Sequence, residues 1–85
     1  MAKRLVYRVR WSKAGVWKFV DASKAAISID DHKRTLVTRA RAHCRNIWVE
    51  TGQLTQLYIH NKDGKIQKGN TGEATYGRDP KRSKG

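Results

Sequence analysis

Apolar and polar residues alternate along Arg4 to Ser12, "RLVYRVRWS": Leu5, Tyr7, Val9 and Trp11 fall on one side, Val6, Arg8, Arg10 and Ser12 on the other. A period of two is the repeat of an extended chain, so this segment predicts a strand with a basic outer face. Lys13 to Gly15 reads as a short turn and "VWKFV" at Val16 to Val20 as a second strand, rich in β-branched and aromatic residues, completing an antiparallel hairpin. A brief extended piece around Ala26 to Ile29 precedes a change of period. Leu36, Val37, Ala40, Cys44, Ile47 and Trp48 recur at spacings of one, three and four, which places them on one helix face. Asp30 or Asp31 is suited to accept hydrogen bonds from the first free amides, and Gly52 to end the helix. Beyond it, Thr55, Leu57 and Ile59 alternate with Gln56, Tyr58 and His60. Asp63-Gly64 then marks a two-residue turn into a fourth strand around Lys65 to Lys68, with Ile66 pointing inward.

The order strand, strand, helix, strand, strand predicts an α+β domain with one helix packed on one face of a small antiparallel sheet. Trp17, Phe19, Leu57, Ile59 and Ile66 are expected to join the helix stripe in a single core, leaving the other sheet face open to solvent. The domain is expected over residues 1–76. A flexible basic tail carrying Arg78, Lys81, Arg82 and Lys84 is expected over residues 77–85.

Composition narrows the function. Eighty-five residues allow one domain and leave little room for a deep, lidded cleft, so no enzyme is expected. Nineteen Lys and Arg against seven Asp and Glu give a net charge of +12. Such an excess repels itself and is commonly retained where a polyanion or an acidic surface screens it. The single cysteine, Cys44, excludes an intramolecular disulfide and a Cys-based zinc site, and its place in the apolar stripe predicts an inert buried thiol. His32, His43 and His60 offer no pair at the i, i+4 spacing of a helical metal site, and neither metal nor cofactor is expected. With no apolar run near the length of a membrane span and no signal-type segment, a cytoplasmic protein is expected.

Asp63 beside His60 suggests a general base, but the turn explains that aspartate without chemistry. "GKIQKGNTG" has glycines but lacks the Lys-Ser/Thr pair and following helix of a phosphate loop. What remains is a surface. Alternation puts Arg8, Arg10, Lys18, Tyr58, His60, Lys65 and Gln67 on one solvent face. Arginine forks and lysine charges pair with phosphates, Gln can bond a base edge, and Tyr and His can stack on bases. A second basic surface is the helix flank bearing Arg34, Arg41 and Arg45, with Thr38 among them; Arg39, His43 and Asn46 occupy the other flank. The expected function is non-enzymatic nucleic-acid binding, to double-stranded DNA with low sequence specificity, because exposed aromatics for a single-strand platform are few. The alternative is an interaction protein that docks on an acidic host protein, a nucleic-acid enzyme or a defence factor, and inhibits or modulates it. That partner calls for an exposed apolar anchor, with Trp48 or Val49 as the place for it.

"IHNKDGKI" followed at short range by "YGRDP", after a tryptophan-bearing hairpin and a helix with alanines, resembles a small bacterial and phage family of domains of unknown function. The resemblance covers Trp17 to Pro80. It implies a fold layout, a bacterial cell or phage-infected host as the setting, and no particular activity. "QKGNTGEATYG" is longer and richer in glycine than that pattern, and the basic residues of Lys3 to Arg10 and of the helix are additions to it.

Overall fold

Strands β1 (Leu5–Ser12), β2 (Val16–Val20) and β3 (Ala26–Asp30) lead into helix α1 (Lys33–Thr51), which is followed by β4 (Thr55–Ile59), a single 3-10 turn at Gly69–Gly72, and β5 (Glu73–Tyr76). This computed structural model describes residues 4–77, so the basic residues expected in the tail lie outside the described residues.

The sheet order is β3-β2-β1-β4-β5. Hairpins make β1, β2 and β3 successive antiparallel neighbours, and β4 and β5 are antiparallel as well. The remaining pair, β1 with β4, is parallel, in the register Leu5↔Thr55 to Val9↔Ile59. Helix α1 carries the chain back across one sheet face, so β4 enters beside β1 in the same direction, as parallel neighbours joined by a helical crossover do. The result is the expected α+β fold, with the helix on one face of a mixed, mostly antiparallel sheet.

Under α1 the inward residues of the central strands close a core of Tyr7, Val9, Trp17, Phe19, Leu57 and Ile59 against Leu36, Ala40 and Cys44. His43 presents its ring edge-on to Tyr7 and Phe19 at centroid distances of 5.7 and 5.3 Å. The Thr55 hydroxyl donates to the Cys44 carbonyl at 2.9 Å, fastening β4 to the helix through a buried hydrogen bond. Trp48, expected in the stripe, remains 40% exposed, because the last helical turn overhangs the sheet edge near Tyr76 and Gly77.

The helix is capped one residue after Asp31 and two after Asp30, the two expected caps. His32 is the N-cap, without a side-chain capping bond. Asp30 instead accepts from the His32 amide at 2.8 Å, tightening the turn before the helix, and that N–H, with the Arg39 guanidinium, holds its carboxyl below the usual range. At the other end Gly52 has φ 77° and its N–H donates to the Trp48 carbonyl at 2.9 Å, the left-handed termination expected of it.

The fourth strand expected around Lys65 to Lys68 is reduced to a single bridge, His60↔Ile66. A two-residue turn at Asp63-Gly64 would pair His60 with Gln67. The turn instead runs from Asn61 to Gly64, closed by Gly64 N–H to Asn61 carbonyl at 3.0 Å, with Gly64 at φ 91°. That slips the register by one residue and exchanges the faces. Ile66 therefore lies on the open side, 43% exposed, and Gln67 turns to the helix side. The chain then leaves the sheet through residues 67–72 and returns as β5, which pairs with Thr55 to Tyr58.

Candidate nucleic-acid interface

On the open face the cross-strand register sets Arg10 opposite Lys18, and Arg8 opposite Val20, with Tyr58 on its other side. Arg10, Lys18 and Lys24 surround one depression together with Trp11, Ser12 and Val20, and among the described residues no carboxylate lines it. Two cations directly opposite on one face repel each other and cost the sheet some stability.

Lys24 was not legible as part of this surface. It occupies the β2–β3 turn, where Asp21 Oδ1 accepts from the Ser23 hydroxyl at 2.7 Å and from the amides of Ser23 and Ala25 at 2.9 and 3.1 Å. Those bonds, the Ser23 hydroxyl first, hold the Asp21 carboxyl below its ordinary range. Lys24 itself has φ 70°, the only non-glycine at positive φ among the described residues. That region is one a lysine enters at an energetic disadvantage. The "DASK" lettering signals the turn through Asp21, but nothing local says that its last residue reaches the strand face.

Arg8 is held in place. Its guanidinium lies 5.0 Å from the centroid of the Tyr58 ring and one nitrogen is 3.0 Å from His60 Nε2. His60 Nδ1 lies 2.9 Å from the Gly64 carbonyl. Since the guanidinium can only donate and the carbonyl only accept, the imidazole is assigned as the Nδ1–H tautomer. His60 is thus on the expected side but buried, and the Tyr58 ring is covered by Arg8. Both residues set the direction of an arginine and do not offer bare rings for stacking. Gln56 is likewise buried, accepting from the Thr75 hydroxyl at 2.8 Å and donating to Glu73 at 3.3 Å. Glu73 ends the basic field on the β5 side.

Lys65 and Gln67, expected on this face, are not there. The one-residue slip takes Gln67 to the helix side, where its Oε1 accepts from Lys33 Nζ at 2.7 Å and its Nε2 donates to the Thr71 hydroxyl at 2.7 Å. Lys65 belongs to the exposed turn, its amide donating to Asp63 Oδ1 at 2.9 Å.

The helix flank is as expected in its grouping. Arg34 and Arg41 line a cleft beside residues 67–72, with Thr38 between them. Arg45 continues the row toward Tyr76, whose hydroxyl burial pushes up in pKa while Arg41 and Arg45 pull it down. None of these three arginines forms an ion pair with a described residue. On the other flank Arg39 does, reaching Asp30 at 3.4 Å and the Ser28 hydroxyl at 2.8 Å.

Cys44 is fully buried, and burial pushes its thiol up to about 12, which keeps it out of thiolate chemistry near neutral pH. Asp30, Asp31 and His32 lie close enough together to share an ion. They are a largely exposed group, and Asp30 is already engaged by the His32 amide and Arg39. Among the described residues no helix is long and apolar enough to cross a membrane.

Searches of curated proteins and of solved structures return no significant match. A family profile does match, over residues 7–72, a span that takes in β1 from Tyr7 onward and ends before the Tyr-Gly-x-Asp-Pro lettering at Tyr76 to Pro80. Most of the first hairpin, the helix and the β4 segment with its Asp-Gly turn fall within it, and the chain belongs to the family described as "Uncharacterized protein conserved in bacteria (DUF2188)".

Proposed function

We propose that this protein is a non-enzymatic nucleic-acid-binding module that grips duplex DNA, with low sequence specificity, through the open sheet face. The observation carrying this reading is the juxtaposition of Arg10 and Lys18 as direct cross-strand neighbours, with Lys24 completing a depression that no acidic side chain among the described residues lines. Phosphates of a polyanion relieve that repulsion, and each relieved cation contributes affinity by releasing condensed counterions. Arg8, aimed by His60 and Tyr58, supplies a pre-oriented fork, which suits a phosphate oxygen or the edge of a guanine. Arg8, Arg10 and Lys18 all stand on the β1–β2 pair, and a two-stranded ribbon is what a major groove admits.

The test is the salt dependence of duplex binding. Four cations, Arg8, Arg10, Lys18 and Lys24, give a slope of about −3.6 in log affinity against log salt, and roughly a hundredfold loss between about 50 and 200 mM. A slope near zero, or duplex affinity weaker than non-specific binding by ordinary basic proteins, overturns the reading.

A second reading is favoured by one observation. Trp48 and Val49 are 40% and 60% exposed at the C-terminal end of α1, one turn from Arg45. An aromatic anchor beside cations suits an acidic protein partner. Capture from a bacterial lysate with and without nuclease separates the two, because a partner that survives nuclease and is lost on Trp48→Ala supports the protein reading.

A further inference from the structure

A cleft of ≈ 530 Å³ lies on the far side of the sheet from Arg8 and Arg10. One wall is the first turns of α1, bearing Lys33, Arg34, Thr38 and Arg41; the other is the 67–72 segment, bearing Gln67 and Thr71. Val37 and Ile59 line it with apolar surface, and among the described residues no carboxylate does. This segment is where the chain leaves the sheet between Ile66 and β5, a departure that the pairing of β4 does not require.

The cleft is held in shape by its own bonds. Lys33 Nζ donates to Gln67 Oε1 at 2.7 Å, Gln67 Nε2 donates to the Thr71 hydroxyl at 2.7 Å, and that hydroxyl donates to the Lys68 carbonyl at 3.2 Å. Gly72 packs so closely on the Gln67 carbonyl that a Cβ there would collide with backbone, which fixes the 3-10 turn against the bridge. The chain of bonds ties the far wall to the helix before any ligand arrives, and such preorganisation lowers the entropy lost on binding.

Its electrostatics are uncompensated. Lys33 is half-buried, with the Gln67 amide oxygen and the Trp17 ring, 4.8 Å away at its centroid, beside its charge and no carboxylate bonded to it among the described residues. Burial lowers its pKa, as expected for an ammonium short of counter-charge. Arg34 and Arg41 stand two helical turns apart on the same side, and neither is paired with a described carboxylate. Thr38, also in the lining, donates to the Arg34 carbonyl at 3.1 Å.

We propose that this cleft binds the phosphoryl group of an organic phosphate, with Arg34 and Arg41 as forks, Lys33 as the point charge, and Val37 and Ile59 against the organic part. Guanidinium forks match phosphate oxygens in geometry, and three cations balance a phosphate dianion better than a carboxylate. The phosphoryl group can come from a free mononucleotide or from a nucleic-acid strand. The site is independent of the sheet face, so either reading can fail without the other.

The experiment is an amide NMR titration of the full ¹⁵N-labelled chain with adenosine 5′-monophosphate, with adenosine, and with a short DNA duplex. Adenosine 5′-monophosphate should shift the amides of Thr38, Gln67 and Thr71 saturably, and adenosine should not. Arg34→Ala with Arg41→Ala should weaken binding by about tenfold or more, with Arg34→Lys with Arg41→Lys in between, since each lost fork removes charge-assisted hydrogen bonds. Arg8→Ala with Arg10→Ala should leave the nucleotide affinity unchanged. If the duplex moves those amides and the mononucleotide does not, and the Arg34 and Arg41 substitutions abolish the effect, the phosphoryl group belongs to a strand. The proposal falls if neither ligand moves the cleft amides, if adenosine binds as well as its monophosphate, or if the arginine variants, with unchanged melting temperature, bind like the parent.

Discussion

On the helix side of the sheet Val9, Phe19, Leu57 and Ile59 are sealed beneath Leu36, Ala40 and Cys44; on the open side their chain neighbours Arg8, Arg10, Lys18 and Tyr58 stay half-buried or exposed. The two sets come from the same strands, one residue apart. Packing accounts for the first set, because a core position admits only an apolar side chain of suitable volume. Packing accounts for little of the second, since Arg10 opposite Lys18 works against the sheet. Residue identity on the covered face is therefore constrained by stability, and on the open face much less so.

That contrast is sharpest where a change on one face affects only one property. Phe19→Ala should lower stability by about 3–5 kcal/mol, as for a large aromatic removed from a closed core, measured by denaturant unfolding. A loss below about 1 kcal/mol would mean that the core closes elsewhere.

Across the sheet, Arg8→Ala with Arg10→Ala should reduce duplex affinity roughly a hundredfold, about 2.7 kcal/mol, and shift the melting temperature little. The same pair should matter more than deletion of residues 79–85, and should flatten the salt slope by about two contacts. Equal binding by variant and parent removes the sheet face from the interface.

Lys24 is expected to move stability and binding in opposite directions. Lys24→Gly relieves the left-handed backbone and should raise stability by up to about 1 kcal/mol, while weakening duplex binding several-fold through loss of one phosphate contact. A variant that is both more stable and equally tight would make Lys24 an ordinary turn residue.

The smallest effect lies at β3, where Ser28 and Asp30 turn to the helix side while Ile27 and Ile29 stay exposed on the other. The Asp30 carboxyl is depressed by the His32 amide and by Arg39, so its contribution is complete above the ordinary aspartate pKa of about 4 and fades as pH falls through the lower folded value. Asp30→Asn should therefore be slightly destabilising near neutral pH and indistinguishable from the parent in strong acid, read from chemical denaturation across pH. A variant deficit that persists unchanged into strong acid would assign the effect to geometry and not to charge.

Periodicity along the chain was sufficient to assign faces in β1, β2, β4 and α1 up to its last turn, where Trp48 departs from the stripe, because which side a residue takes in an element is set by the local backbone repeat. It placed Arg8, Arg10 and Lys18 together, grouped Arg34, Arg41 and Arg45 on one helix flank, and buried Cys44. The net charge followed from composition alone. Tertiary structure decided what depends on register and on contacts between distant segments. The Asn61–Gly64 turn, one residue out of step with a two-residue hairpin, turned Ile66 outward and drew Gln67 to Lys33 across the cleft. The crossover made β4 parallel to β1 and so brought Tyr58 and His60 beside Arg8. The fold of the β2–β3 turn carried Lys24 to Arg10 and Lys18. Face is a property of a few consecutive residues, whereas register and proximity are fixed only when elements far apart in sequence share one closed core.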